Sequence, residues 1–168
     1  MVDIECSDDY INVKKENMIK QYKFKTKPYE HQLEALEKSW AQDTYALFME
    51  MGTGKSKVLV DNIAMLYDRG AIKGALIVAP KGVYKNWDQI EFPVHLPDHV
   101  EHTKVLWEPT ITKKKQAELD TLFDDKGDLK ILIMNVEAFS TTKGLDFAHS
   151  FLNIFLGRAL IGIDESTT

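Results

Sequence analysis

The sequence predicts an α/β fold in which a parallel sheet carries helices on both faces. Short runs that are apolar throughout alternate with segments whose apolar residues recur every three or four positions. Apolar runs of this kind are typical of strands buried on both faces, and the helical segments between them supply the cover. The 168 residues, 44% of them hydrophobic, suffice for one such domain. Because the alternation starts at Pro28, we assign residues 1–27 to an N-terminal extension and residues 28–168 to the domain.

The first half of the domain supplies two helices and two strands. Apolar side chains recur at helical spacing over residues 30–41, just after Pro28, and proline is a helix-start signal. The apolar run at residues 44–48 predicts a strand that ends in a glycine-rich turn, and residues 55–68 again have helical spacing. The run Ala-Leu-Ile-Val-Ala at residues 75–79 predicts a buried strand, which a proline closes.

The second half repeats this alternation. A helical stretch around Trp87 comes first. Three further apolar runs predict strands at residues 103–107, 130–134 and 159–163. Helical patterns separate these strands at residues 116–123 and 145–155. Because so little sequence follows the last strand, we expect the chain to be a piece of a longer protein, with a sheet that is incomplete at its C-terminal end.

The most informative motif lies between the first predicted strand and the next helix. Residues 50–56 spell Glu-Met-Gly-Thr-Gly-Lys-Ser. Glycines let the backbone curl so that successive N–H groups point at a phosphate, and the helix N-terminus adds its positive end. The strict phosphate-loop pattern has glycine where this chain has Met49. The predicted phosphate cradle consists of Gly52, Thr53, Gly54, Lys55 and Ser56.

Within this cradle, two side chains have separate predicted roles. Lys55 would neutralise charge on the β- and γ-phosphates, and the Ser56 hydroxyl would ligate Mg²⁺. Asp164 and Glu165 follow the last predicted strand, at the same carboxyl edge of the sheet. Asp164 would hold the metal through a water, and Glu165 would orient and deprotonate the attacking water. The predicted catalytic residues are therefore Lys55, Asp164 and Glu165.

Charge and composition exclude several classes of protein. The net charge of −5 excludes a uniformly basic surface for binding nucleic acid. Any polyanion would have to bind to a local patch of basic residues. A single cysteine, Cys6, cannot form an internal disulfide, which favours a reducing compartment. No apolar run is long enough to span a bilayer, and the first ten residues are too acidic for a signal peptide. We expect an intracellular protein, cytoplasmic or nucleoid-associated, without a membrane partner.

Five segments in order resemble the first RecA-like lobe of superfamily-two helicases, and most of all the Swi/Snf-type translocases. Residues 28–36 are similar to the family's adenine-reading segment, and residues 50–56 to its phosphate loop. Residues 75–80 followed by Asn86-Trp87, and residues 131–138, resemble two nucleic-acid-facing motifs. Asp164-Glu165-Ser166-Thr167 stands where the family has Asp-Glu-Ala-His, so the histidine that links the two lobes in many relatives is replaced.

The resemblance implies ATP and Mg²⁺ as cofactors and nucleic acid, most of all duplex DNA, as partner. Gln32 would bond the adenine edge, with Tyr29 or His31 packing on the base. The residues implied to contact a nucleic-acid backbone are Lys81, Lys85 and Asn135. The implied activity is that of the ATP-binding lobe of a DNA-stimulated ATPase that translocates on nucleic acid or unwinds it.

The arginines and the family's sheet order imply further partners. Arg69 and Arg158 are the only arginines. The length of the intervening helix or strand puts each of them about 20 Å from the phosphate end of the sheet. The arginine finger of this family comes from a second RecA-like lobe, which this chain lacks, so we expect the isolated chain to be nearly inactive. In the family, the strand after the acidic pair inserts beside the strand of the phosphate loop. We therefore expect a gap there, or self-association through the unpaired sheet edge.

Two other functions remain open from the sequence. One is a nucleotide-binding interaction module without motor activity, and the other is a small-molecule kinase with a phosphate loop. The Asp164-Glu165 pair argues against a pure sensor, and the scarcity of arginine argues against a kinase.

Overall fold

A four-stranded parallel sheet forms the centre of the molecule. The computed structural model describes residues 8–40, 42–50 and 52–164, with side chains described at residue 14 and from residue 16 onward. The strands are β1 (Gly74–Ala79), β2 (His102–Leu106), β3 (Leu129–Asn135) and β4 (Ala159–Ile163). Their order across the sheet is β2-β3-β1-β4, and every neighbouring pair is parallel. The predicted α/β class and parallel sheet are thus confirmed.

Helices cover both faces of the sheet. The longer helices are α1 (Asp8–Gln21), α2 (Glu30–Ser39), α3 (Lys55–Asp68), α6 (Lys113–Asp120) and α7 (Thr142–Asn153). One continuous helical segment after β1 consists of α4 (Tyr84–Asn86), a π-helical turn (Trp87–Glu91) and α5 (Phe92–His95). Single 3₁₀ turns follow α6 at Thr121–Phe123 and β3 at Val136–Ser140. No helix among the described residues is long and apolar enough to cross a bilayer.

Alternate residues of the central strands build two separate cores. Ile77 and Ile133 face α3 and the helical segment 84–95, where Trp87 is buried in the same cluster. Leu132 and its alternate neighbours on β1 and β3 face α6 and α7 on the other side. This division follows from the two-residue repeat of a strand, because successive side chains point to opposite faces. Every residue of β1 and β3 is buried, as the uninterrupted apolar runs predict.

The N-terminal extension packs against the domain. Ile19 of α1 is fully buried in a third cluster with Leu36, Trp40, Val58 and Met65. This cluster lies between α1, α2 and α3, so the outer side of α3 is covered as well.

The segment that connects α1 to α2 is held by polar contacts, and we call residues 22–28 the strap. The Tyr22 hydroxyl donates to Asp68 Oδ2 at 2.6 Å, and Asp68 Oδ2 also lies 2.7 Å from His99 Nε2. Lys25 Nζ lies 2.7 Å from Asp98 Oδ1, and Thr26 Oγ1 lies 2.8 Å from His95 Nδ1. The strap therefore runs along the loop that leads from α5 to β2.

The strand predicted at residues 44–48 is wrong. These residues have no regular secondary structure, and a cavity of about 610 Å³ lies between this segment and β4. Trp40 Nε1 and Asn62 Oδ1, from residues that line the cavity, are buried without a hydrogen-bond partner among the described residues. A strand needs a neighbour about 4.8 Å away to form its ladder, and the cavity keeps β4 from serving as one.

Candidate functional site

The glycine-rich turn forms a tight loop at the start of α3. Gly52 has φ of +76° and Gly54 has φ of +85°, a backbone region that glycine adopts without strain. The Thr53 hydroxyl donates to the Glu50 carbonyl at 2.6 Å, and the Thr53 N–H points to the same oxygen at 3.4 Å. Gly54 is the residue that precedes the first turn of α3, whose N–H groups have no intrahelical acceptors. The loop therefore has the backbone form that binds anions at helix N-termini.

Gln32 and His31 hold this loop from α2. The Gln32 Nε2 donates to the Thr53 carbonyl at 3.0 Å, and its Oε1 accepts from the Tyr29 N–H at 2.9 Å. His31 Nε2 lies 3.0 Å from the same Thr53 carbonyl. A glutamine amide has two N–H groups and two acceptor lone pairs, so Gln32 keeps one donor and one acceptor for a ligand. A Cβ at Gly54 would lie 2.2 Å from Gln32 Nε2, which explains why glycine is needed at this close approach.

An open cavity of about 790 Å³ lies beside the loop. Its lining consists of Thr26, Lys27, Pro28, Tyr29, His31, Gln32, Gly52, Thr53, Gly54, Lys57 and His95. The rings of Tyr29 and His31 stack with centroids 5.8 Å apart and planes 10° apart, and Tyr29 is 71% exposed. The size is that of a small-molecule site, and the exposed ring offers an aromatic face to a planar ligand.

Six of the eight predicted cofactor-binding residues line this cavity, and two do not. Lys55 and Ser56 are the first two residues of α3 and are partly exposed beyond the lining. Within the part of the chain that the structure describes, Lys55 forms no salt bridge. The structure thus brings the predicted base-binding and loop residues to one place.

Lys57, a lining residue that sequence reasoning missed, forms a buried ion pair with Asp61 of the same helix. Lys57 Nζ lies 2.6 Å from Asp61 Oδ2 and 5.4 Å from the centre of the Phe24 ring, and both members of the ion pair are buried. Burial raises the pKa of Asp61 to about 6, against the opposing effect of Lys57. Burial, and next the charge of Lys57, lower the pKa of His95. A lysine and an aspartate four residues apart within the helical pattern of α3 are the signal that could have found this pair.

Asp164 lies at the carboxyl end of β4 and is held at two points. Its N–H donates to the Val78 carbonyl at 2.8 Å, and its Oδ2 accepts from the Trp87 indole N–H at 3.0 Å. Burial, and next the charge of Asp164, raise the pKa of Glu91. Glu91 Oε2 in turn lies 3.7 Å from His95 Nε2 on the cavity wall. Asp164 does not line the cavity, and Glu165 lies outside the described residues.

The oxygen donors fit Mg²⁺ by their chemistry. Mg²⁺ is held in proteins by one or two carboxylates together with phosphates and waters. Ser56 offers a hydroxyl at the start of α3, and Asp164 offers a carboxylate after β4; both are oxygen donors of the kind that Mg²⁺ takes. Among the described residues, no group of three or more histidine, cysteine, aspartate or glutamate side chains is arranged to hold a metal ion by itself.

The three residues predicted to contact nucleic acid differ in their surroundings. Lys81 and Lys85 are exposed after β1. Asn135 is buried at the end of β3, and its Nδ2 donates to Glu137 Oε2 at 2.9 Å. The Asn135 amide is the main cause of the lowered pKa of Glu137, and the charge of Lys81 adds to it. Asn135 therefore fixes the turn beside Lys81, while the side chains of Lys81 and Lys85 are exposed to solvent.

Both arginines lie away from the loop, as predicted. Arg69 ends α3, and its guanidinium lies 4.8 Å from the centre of the Trp40 ring. Arg158 donates to the Gly70 carbonyl, before the start of β1. These contacts are at the amino ends of the strands, whereas Asp164 is at a carboxyl end.

A scan of the sequence against protein-family models found no match, and a search of curated proteins found no significant relative.

Proposed function

We propose that this chain is the ATP-binding lobe of a nucleic-acid-stimulated ATPase that translocates on nucleic acid or unwinds it. The observation that carries the proposal is the cavity of about 790 Å³ beside the loop at the start of α3. The loop supplies backbone N–H groups for phosphates, and the stacked Tyr29 and His31 rings with the spare amide groups of Gln32 supply a place for a base. Phosphate and base contacts on the same cavity favour a nucleotide over inorganic phosphate.

The chain's own side chains account for binding and orientation. Lys55 stands at the N-terminus of α3, where its charge adds to the helix dipole and attracts the terminal phosphates. Bound Mg²⁺ would neutralise charge that develops on the transferring phosphoryl group. Asp164 would orient the water ligands of the Mg²⁺ ion, and Glu165 would accept a proton from the attacking water. Arg69 and Arg158 are held at the opposite strand ends, which supports the proposal that a second lobe supplies the arginine finger.

A polyanion would contact the exposed lysines after β1. Lys81 and Lys85 lie at the carboxyl edge of the sheet, on the connection that leads to Trp87. Each lysine that neutralises a phosphate releases a counterion, so binding should weaken steeply with salt. The proposed partner is duplex DNA.

Nucleotide binding is tested by titrating the chain with a fluorescent ATP analogue. Lys55→Ala should weaken binding at least tenfold, because the one positively charged side chain of residues 50–56 is removed. Lys73→Ala is the matched control, since Lys73 is exposed before β1 at the other end of the sheet. Wild-type protein that does not bind the analogue, or equal affinities for all three proteins, would contradict the proposal.

DNA contact is tested by binding of a labelled duplex at several salt concentrations. Lys81→Ala/Lys85→Ala should lower the slope of log affinity against log salt by about 0.9 for each lysine. Lys113→Ala/Lys114→Ala removes two exposed lysines of α6 and should leave the slope unchanged. ATP hydrolysis by a longer chain that includes a second lobe should rise with duplex DNA and disappear with Lys55→Ala. Binding of nucleotide without any response to DNA would favour the interaction module.

A further inference from the structure

We propose that Trp87 is a positioning residue for Asp164, so that its indole N–H fixes the carboxylate that serves Mg²⁺. The inference rests on the proposed function, because it assigns a role within the same nucleotide site. Its basis is the hydrogen bond from Trp87 Nε1 to Asp164 Oδ2, 3.0 Å long. Asp164 and Trp87 are 77 residues apart in the sequence and meet only because the strand order places β4 next to β1.

The indole is held rigidly. Trp87 is 1% exposed, and its ring packs against Phe92 with centroids 5.8 Å apart. Trp87 begins the π-helical turn, a rare form that is frequent at functional sites. The same turn is tied to β2, since Lys104 Nζ lies 2.8 Å from Asp88 Oδ1. The donor therefore stays in one orientation at little entropic cost when Asp164 accepts from it.

The chemistry of the indole suits a metal-serving carboxylate. The Trp N–H is a donor only and carries no charge, so it occupies one oxygen without neutralising the anion. A lysine or arginine in its place would compete with the cation for the negative charge. The bond fixes Oδ2 and leaves Oδ1 for the metal shell, which corresponds to the outer-shell partners that orient metal ligands.

The test is the Mg²⁺ dependence of binding of the fluorescent ATP analogue to Trp87→Phe. Phenylalanine keeps the packing and removes the N–H. We expect affinity without Mg²⁺ to be unchanged and the Mg²⁺ midpoint to rise about tenfold, the loss typical when an outer-shell partner is removed. Trp107→Phe is the matched control, because Trp107 is also buried but packs against Phe147 in the core on the other face of the sheet. It should leave the midpoint unchanged.

The outcomes separate the inference from the proposed function. Wild-type protein without nucleotide binding would overturn the proposed function, whereas a normal midpoint in Trp87→Phe would overturn only the inference. An equal rise in both tryptophan variants would also overturn it, because packing alone would then be the cause. In an Asp164→Asn background, Trp87→Phe should add no further change.

A spectroscopic measurement covers the case in which Trp87→Phe does not fold. The chain has three tryptophans, so ¹H–¹⁵N spectra should contain three indole signals. Trp40→Phe and Trp107→Phe assign the Trp87 signal by elimination. Asp164→Asn should shift that signal and leave the other two in place. An unshifted Trp87 signal would contradict the hydrogen bond and with it the positioning role.

Discussion

Gln32 connects two parts of the site through one amide group. Its Nε2 holds the Thr53 carbonyl of the loop, and its Oε1 holds the Tyr29 N–H at the start of α2. Gln32 is 4% exposed, so losing either bond leaves a buried polar group without that partner. The position of the exposed Tyr29 ring and the shape of the loop are therefore coupled at a single residue.

We predict that Gln32→Glu weakens nucleotide binding about tenfold and lowers the free energy of unfolding by about 1–3 kcal/mol. A carboxylate has the shape of the amide but cannot donate to the Thr53 carbonyl, which would lose a partner and face a negative oxygen. Analogue titration and urea unfolding measure the two effects. Gln42→Glu, at an exposed position, is the control. Unchanged affinity in Gln32→Glu would show that this amide does not support the site.

The sequence predicted many of the residues that line the cavity, but it did not predict the contacts that hold them in place. Glycines followed by lysine at a helix start have few alternative uses, so the loop was predictable. The Trp87–Asp164 bond and the Lys57–Asp61 pair depend on which strands are neighbours and on how deeply α3 is covered. A local sequence pattern predicts neither the neighbours of a strand nor the depth at which a helix is buried.

At the scale of single elements, α3 carries a buried ion pair close to the cavity. Burial raises the pKa of Asp61 to about 6, because its effect on this pKa is larger than that of Lys57, which lowers the pKa. A carboxyl group whose pKa is higher in the folded state than in the unfolded state holds its proton longer when folded. Between about pH 4 and pH 6 the folded state therefore binds more protons, and the contribution of Asp61 to stability falls as the pH rises.

We predict that wild-type protein loses stability relative to Asp61→Asn as the pH rises from about 4 to about 6, with no further relative change above this window. Urea unfolding at pH 4, 5, 6 and 7 measures the difference. Lys57→Met/Asp61→Asn removes the lysine charge that the single variant leaves without its partner, and should be close to wild type in stability or above it. A difference that does not vary with pH would contradict the raised pKa.

Element prediction succeeded where burial alone decides the structure. Helix α3 and strand β4 have the predicted bounds, because a fully apolar run or a clear helical repeat has one way to be buried. Helix α1 was not predicted, since its sequence is mostly polar and its packing depends on Ile19. The run at 44–48 fails as a strand because its ladder needs a neighbour, which a sequence window does not contain.

At the scale of the whole molecule, one edge of the sheet is open. Strand β4 pairs only with β1 among the described residues, and Ile161 and Ile163 are 54% and 67% exposed. An apolar strand edge with free backbone groups is a template for pairing with another chain.

We predict concentration-dependent self-association of the isolated chain, measured by sedimentation velocity over a hundredfold range of concentration. Ile161→Lys or Ile163→Lys should shift the chain to monomer, because a lysine on the edge opposes strand pairing. Ile154→Lys, at another exposed apolar position beyond α7, should leave association unchanged. A wild-type monomer at every concentration would contradict the prediction.

The strap has a practical consequence for anyone who shortens this protein. Thr26 and Lys27 belong to the wall of the cavity, and Thr26 also anchors His95. Trimming the chain at Pro28, where the repeating pattern of the sequence begins, would thus leave the pocket open from the side. If such a truncated chain did not bind nucleotide, the missing cavity wall could be the cause. Expression trials should therefore retain the residues from Tyr22 onward.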